Sequence, residues 1–177
     1  MATAPENPFW EFSLNAYERS GVAESCITLQ DRHGLDVNLL LFAAWAGRCG
    51  HSLSAAELAL LRACSSDWQA AVVRPLRGVR RWLKDQKQLP DSLGEGLREQ
   101  VKGLELHGEM LEQLLLYEEL PIDEADPGPR LAASNMRLYL QVYTAEPNDA
   151  DLADLAVVLR GACPEVTPLE AIWSLGS

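Results

Sequence analysis

The chain has 177 residues, of which 47% are hydrophobic and 23% are charged, and its formal net charge is −11. This size and composition are typical of one ordinary globular domain and not of a disordered segment. The acidic excess argues against general nucleic-acid binding, because a polyphosphate would be repelled, and it suits a basic partner surface.

Capping residues predict two short helices at the start of the chain. Asn7 can cap a first helix that has Pro8 at its first position and ends at residues 20–21. A second helix is predicted over residues 22–33, where Gly34 supplies the left-handed residue that ends it.

The third predicted helix is the apolar centre of the fold. Asp36 caps it, and it runs over residues 37–49 with hardly any polar side chain. A helix without a polar face is a buried helix. We therefore expect Leu40, Phe42 and Trp45 to be almost wholly inaccessible to solvent.

Two more helices are predicted between residues 54 and 86. Residues 54–57 form a capping box that begins a fourth helix, which ends near residue 64. The next helix is predicted to begin at residue 65 or 66 and to bend at Pro75, because proline cannot donate a helical hydrogen bond.

The second half of the chain adds three predicted helices. A long one follows residues 89–92, and its four glycines indicate either close helix packing or a break near Gly103. Residues 121–129 form an acidic, proline-rich loop. The last two helices are predicted over residues 130–144 and 149–162.

Together these signals predict the fold class. No segment shows the alternating apolar pattern of a β-strand. We expect an all-α fold, a single domain over residues 1–177, built as a compact bundle of about seven helices around the apolar central helix. Residues 1–7 and 164–177 are expected to lie at its periphery.

Three features predict a cytoplasmic protein. The longest apolar run, residues 39–47, is about half as long as the roughly 20 residues that a membrane-spanning helix needs. The first seven residues lack the charged and apolar regions of a signal peptide. The cysteines show no paired spacing and are expected to be reduced; they are Cys26, Cys49, Cys64 and Cys163.

The sequence contains no recognisable catalytic motif. A phosphate-binding loop, a dinucleotide fingerprint and a nucleophile elbow are all missing. The three histidines, His33, His51 and His107, do not have the spacing of metal ligands. We therefore assign no catalytic residue and expect neither a metal nor a cofactor.

A polar junction between the second and third predicted helices is one candidate site. Its four members are Asp31, His33, Asp36 and Asn38. A carboxylate beside a histidine can perform acid–base chemistry or hold a metal. In the simpler structural interpretation, Asp36 caps a helix, Asp31 pairs with a neighbouring cation and Asn38 satisfies a backbone group. A deep pocket here would favour a small-molecule-binding or enzymatic domain, and a flat surface would favour an interaction module.

The strongest charge feature is a basic cluster on one predicted helix. It holds five of the 15 cations of the chain: Arg74, Arg77, Arg80, Arg81 and Lys84. All except Arg80 share one helix face at 100° per residue. The opposite face is expected to form a core stripe of Trp68, Val72, Leu76, Val79 and Leu83.

Two interpretations of this basic cluster remain open. Acidic residues of the segment 118–126 can neutralise it, or it recognises an anionic group on a partner. In the second case, removing Arg77 and Arg81 together should abolish a salt-sensitive interaction and leave stability within about 1 kcal/mol. The function expected first is a non-catalytic interaction or regulatory protein that presents this cluster to an anionic group, on a protein partner or a ligand. The sequence does not indicate an oligomeric state.

Two segments carry a family resemblance. The first contains Phe9, Trp10 and Tyr17 and continues through residues 29–41, and the second covers residues 68–84. With tryptophan, glycine and proline at these offsets, the chain resembles an uncharacterised family of small bacterial proteins known only as a domain of unknown function. The resemblance implies a bacterial, cytoplasmic protein and brings no reaction, cofactor or partner with it.

Overall fold

Helices make up most of the chain. The computed structural model describes residues 7–87, 90–123 and 128–176, and no strand occurs within these ranges. The described residues form nine α-helices, so the all-α prediction is confirmed, with one helix beyond the eight predicted individually. They are α1 (Pro8–Tyr17), α2 (Val22–His33), α3 (Val37–Arg48), α4 (Ala55–Trp68), α5 (Arg74–Lys84), α6 (Asp91–Glu119), α7 (Pro129–Leu140), α8 (Asp149–Ala162) and α9 (Pro168–Gly176).

The first three helices begin and end at the predicted capping residues. The side chain of Asn7 accepts a hydrogen bond from the backbone N–H of Trp10 at 3.2 Å. The side chain of Asp36 accepts one from the N–H of Asn38 at 2.9 Å. Gly34 ends α2 with a φ of 69°, a conformation that costs glycine little because it has no Cβ.

Helix α3 is the centre of the bundle, as predicted. All its residues from 38 to 47 are buried. Leu40 and Phe42 are 0% exposed and Trp45 is 5% exposed, which confirms the prediction for all three. The central helix therefore has no face that water can reach along most of its length.

The closest neighbour of α3 is α7, and a glycine permits their approach. A Cβ added at Gly47 would lie 2.2 Å from the backbone nitrogen of Ala132, far inside van der Waals contact. The two helix backbones can therefore meet only because residue 47 has no side chain.

The predicted boundary between the fourth and fifth helices is wrong. Helix α4 continues through a π-helical turn, Gln69–Val73, directly into α5. Ser65 is buried and its hydroxyl bonds to the carbonyl of Arg62 at 3.5 Å, so it does not cap a new helix. The π turn ends two residues before Pro75, which has no N–H to donate to the preceding turn.

Helix α6 runs without a break, so a break near Gly103, one of the two predicted explanations for its glycines, is excluded. A Cβ at Gly103 would meet nothing within 4 Å. Gly108, in contrast, lies against Val72, where a Cβ would come within 3.3 Å. Its carbonyl accepts a hydrogen bond from the indole N–H of Trp68 at 2.8 Å. Close packing therefore explains Gly108 and not Gly103.

The end of the chain is more structured than predicted. Helix α9 lies within the segment expected at the periphery, and Ala171 and Leu175 are fully buried in the main core. Thr167 caps this helix, because its hydroxyl accepts from the N–H of Glu170 at 3.3 Å and the Glu170 carboxylate accepts from the N–H of Thr167 at 2.9 Å. Most of the N-terminal segment 1–7 and residues 124–127 of the predicted loop lie outside the described residues.

Candidate functional site

Two residues of the basic cluster turn inward. Arg77 donates to Glu105 from Nε at 2.9 Å, to Glu109 from Nη2 at 2.7 Å and to the side-chain oxygen of Gln30 from Nη1 at 2.8 Å. Arg80 forms a second ion pair with Glu105. These two guanidinium groups therefore hold α5 against α6 and α2.

Internal pairing accordingly comes from Glu105 and Glu109 of α6, and no described residue of the segment 118–126, the source considered in the sequence analysis, pairs with the basic cluster. Burial disfavours the charge on Glu105, but hydrogen bonds from Arg80 and Arg77 lower the pKa of its carboxyl below the ordinary value. The pKa of Arg80 is raised by its hydrogen bond to Glu105. All three groups are therefore charged in the folded protein.

The other three members of the basic cluster stay on the surface. Arg74, Arg81 and Lys84 are exposed. Arg81 lies 3.8 Å from a carboxylate oxygen of Asp31, and within the described ranges Arg74 and Lys84 form no ion pair. The cluster thus divides into an inner pair and an outer three. Val79 was predicted for the core stripe but is 46% exposed. The prediction is wrong for this residue because Arg77 and Arg80 lie on the side of α5 that contacts α6.

The four residues of the polar junction do not converge. Asp31 points to solvent and Arg81, whereas Nε2 of His33 lies 2.7 Å from Oδ1 of Asp151 in α8. Asp36 and Asn38 follow the turn at Gly34 and face the opposite way, toward α6. A shared site of all four residues is therefore excluded, because the last turn of α2 directs Asp31 and His33 to different neighbours. The simpler structural interpretation is confirmed for Asp31, which pairs with a cation, and for Asp36, which caps α3.

Asn38 belongs to a buried network of side chains. Its Nδ2 donates to Glu112 Oε2 at 2.8 Å, and Nε2 of Gln69 donates to the same oxygen at 2.8 Å. Nε2 of Gln113 donates to Oδ1 of Asn38 at 2.8 Å. The partners of Asn38 are thus side chains of α6, and not the backbone group that its position predicted.

Glu112 is the most perturbed acid of this network. Burial, with Asp36 beside it, raises the pKa of Glu112 to about 9. Oε1 of Glu112 and Oδ2 of Asp36 are both buried without a hydrogen-bond donor. With its pKa raised this far, Glu112 keeps its proton near pH 7 and can donate it to the neighbouring Asp36.

A cleft of about 400 Å³ opens between α1, α2 and α3 on one side and α5 and α6 on the other. Residues of both predicted sites line it: Asp36, Asn38, Arg77, Arg80 and Arg81. Its apolar wall is formed mainly by Trp10, Leu14, Tyr17, Ile27 and Leu106. Arg74 lines a smaller depression that shares Asp36 and Arg77 with the cleft. Asp31, His33 and Lys84 do not line either one.

The polar residues of α6 were missed in the sequence. Glu105, Glu109 and Glu112 follow one another at steps of four and three and so share one helix face, which Gln113 borders. This pattern of acids at helical spacing could have identified the partners of the basic cluster. It was obscured because apolar residues at similar steps dominate the same helix.

The described residues offer no metal-binding set, since no three histidine, cysteine, aspartate or glutamate side chains among them are grouped to hold an ion. The described helices also include none that is long and apolar enough to cross a membrane.

Comparison with known proteins identifies a family. Neither a curated protein nor a solved structure matches the chain. The model of the family described as "Protein of unknown function (DUF2390)" matches residues 8–116, more than half of the chain. This match extends from α1 to near the end of α6 and includes every cleft residue named above. The chain therefore belongs to the DUF2390 family.

Proposed function

We propose that this protein binds a small amphipathic organic molecule in the cleft and that it has no catalytic activity. The observation that supports this proposal is that part of each site predicted from the sequence lines one cavity: Asp36 and Asn38 from the polar junction, and Arg77, Arg80 and Arg81 from the basic cluster. Its volume of about 400 Å³ lies in the usual range of ligand pockets.

The apolar wall supports an amphipathic ligand. Leu14, Ile27 and Leu106 are between 41% and 50% exposed, although they surround a concave surface. Covering such side chains contributes about 25 cal/mol for each Å² of apolar area removed from water. A ligand with an apolar body would gain this free energy, and the guanidinium and amide groups beside the wall would fix its polar end.

A second candidate function is recognition of an anionic group on a protein partner by the outer cations. It is favoured by the exposure of Arg74, Arg81 and Lys84 on one helix. Arginine pairs well with carboxylates and phosphates through its planar fork of donors. Such an interaction would weaken steeply with salt and would not depend on the apolar wall.

We also propose that this is a bacterial protein of the cytoplasm. None of the four cysteines forms a disulfide, which suits a reducing compartment. Burial raises the pKa of Cys26 to about 12 and that of Cys163 to about 11, so both thiols are unreactive.

Fluorescence titration with anilinonaphthalene sulfonate, an amphipathic probe, tests the cleft. Ile27→Trp should fill the cleft and weaken probe binding at least about tenfold, a loss of about 1.4 kcal/mol. Leu60→Trp is the matched control, because Leu60 is exposed to a similar extent on α4 and lines neither depression. Equal binding by both variants would contradict the proposed function.

A further inference from the structure

We infer that the ligand of the cleft carries a carboxylate that binds Arg77, and that Glu109 occupies the place of this carboxylate in the ligand-free protein. The inference rests on the proposed function and adds to it the chemical class of the ligand. It follows from the unequal positions of the two carboxylates that Arg77 binds.

The first carboxylate, that of Glu105, is not exchangeable. Only 7% of its side chain is exposed, and it binds Arg77 and Arg80 together. Moving it out of contact would leave a buried charge without partners, which is among the costliest changes in a protein interior. Glu105 therefore holds Arg77 in position whether or not a ligand is present.

The second carboxylate, that of Glu109, is exchangeable. It has one hydrogen bond with Arg77, at Nη2, and 27% of its side chain is exposed where it lines the cleft. Burial raises the pKa of Glu109, and the neighbouring Arg77 offsets this effect only in part. Because Glu109 is partly exposed and has one hydrogen bond with Arg77, another carboxylate at Nη2 can replace it at a lower cost than it could replace Glu105.

The remaining charges of the cleft select an anion. Without Glu109, the acidic side chains that line it are Asp36 and Glu105. Four cationic side chains line the same space: Arg77, Arg80, Arg81 and Lys102. Glu109 remains beside the cleft after a ligand replaces it, so four cations face three acids, and this excess of positive charge favours a negative group over an ammonium group.

The apolar wall completes the class of the ligand. Leu14, Ile27 and Leu106 can contact a hydrocarbon chain whose carboxylate reaches Arg77. A carboxylate that accepts from Nη2 of Arg77 forms a charge-assisted hydrogen bond, which is stronger than the bond a neutral acceptor would form there. The ligand class is thus a monocarboxylate with an apolar tail.

Calorimetric titration of the full chain with octanoate, octanamide and octylammonium tests this inference. The wild-type protein should bind octanoate at least about tenfold more tightly than either of the others, a difference of about 1.4 kcal/mol. This comparison needs no variant. Octanamide or octylammonium binding as tightly as octanoate would overturn the inference.

A pair of variants tests the role of Glu109. Glu109→Gln removes the competing charge and should tighten octanoate binding several-fold, with no change for octanamide. Glu118→Gln removes the same charge from an exposed position of α6 outside the cleft and should change neither. Unchanged or weaker octanoate binding by a folded Glu109→Gln protein would refute the exchange.

The two proposals fail in distinguishable ways. If Ile27→Trp leaves binding of anilinonaphthalene sulfonate unaltered, the cleft itself is not the site and both proposals fall. If Ile27→Trp blocks this probe and octanoate does not bind, the cleft remains the site and the carboxylate class is wrong.

Discussion

Arg77 and Glu105 form an ion pair of 2.9 Å in which only a small part of either side chain reaches solvent. Removal of Arg77 would leave two carboxylates of α6 with one fewer cation in a mostly buried place. We expect Arg77→Ala to lower the free energy of unfolding by about 2–3 kcal/mol. Arg81→Ala, at an exposed position of the same helix, should change it by less than about 0.5 kcal/mol.

Urea denaturation of the two variants measures this difference. If Arg77→Ala is destabilised, the double change of Arg77 and Arg81 cannot test partner binding by itself, because a loss of stability would accompany any loss of binding. A stable Arg77→Ala protein would show that the ion pairs with α6 contribute nothing net to folding.

Glu112 predicts a pH dependence of stability. Its folded pKa, about 9, lies above the unfolded value of 4.5, so between these values the unfolded chain has released a proton that the folded chain retains. The contribution of Glu112 to the free energy of unfolding is greatest below pH 4.5 and decreases as the pH rises toward 9. Glu112→Gln, which mimics the protonated acid, should remove this loss.

Thermal unfolding at two pH values checks the prediction. At pH 8 we expect Glu112→Gln to be more stable than the wild type by on the order of 2 kcal/mol, and at pH 4.5 the two should be similar. The opposite ranking at pH 8 would mean that Glu112 is ionised in the folded protein.

Phe42 tests the central position of α3. Its ring packs edge-to-face on Phe9 at 5.1 Å between centroids, and no part of it is exposed. Phe42→Ala should cost about 3–5 kcal/mol through lost burial and the cavity that remains. Trp82→Ala removes a larger ring from a side chain that is mostly exposed and should cost less than about 1 kcal/mol. Similar losses in denaturant melts would contradict the assigned core.

Two glycines in helices predict opposite effects of the same substitution. Gly47→Ala would place a methyl group against the backbone of Ala132 and force α3 and α7 apart, so we expect a loss of at least about 2 kcal/mol. Gly103→Ala meets open space and should raise stability by up to about 1 kcal/mol through helix propensity. Melting temperatures of the two variants provide the measurement, and a tolerated alanine at residue 47 would refute the close approach.

Local structure in this protein follows from short-range signals in the sequence. The capping residues Asn7, Asp36 and Ser54 each accept the predicted backbone hydrogen bond, because a cap acts within four residues of itself. The unbroken apolar character of α3 determined its burial for a similar reason, since a helix without a polar side has no stable place on the surface. Where the sequence prediction was wrong, at Ser65, a side chain capable of capping was instead buried in a helix that tertiary packing extends.

The arrangement of the cleft, in contrast, depends on how the helices pack together. Helical periodicity places Arg77 and Arg81 on one face of α5, yet one is held between carboxylates of α6 and the other is exposed. The partners of Arg77, Glu105 and Glu109, lie 28 and 32 positions away, and periodicity contains no information about which helix packs on which. The cleft exists because the antiparallel packing of α5 on α6 brings the basic cluster opposite Asp36, and long-range packing of this kind is a property of the assembled core.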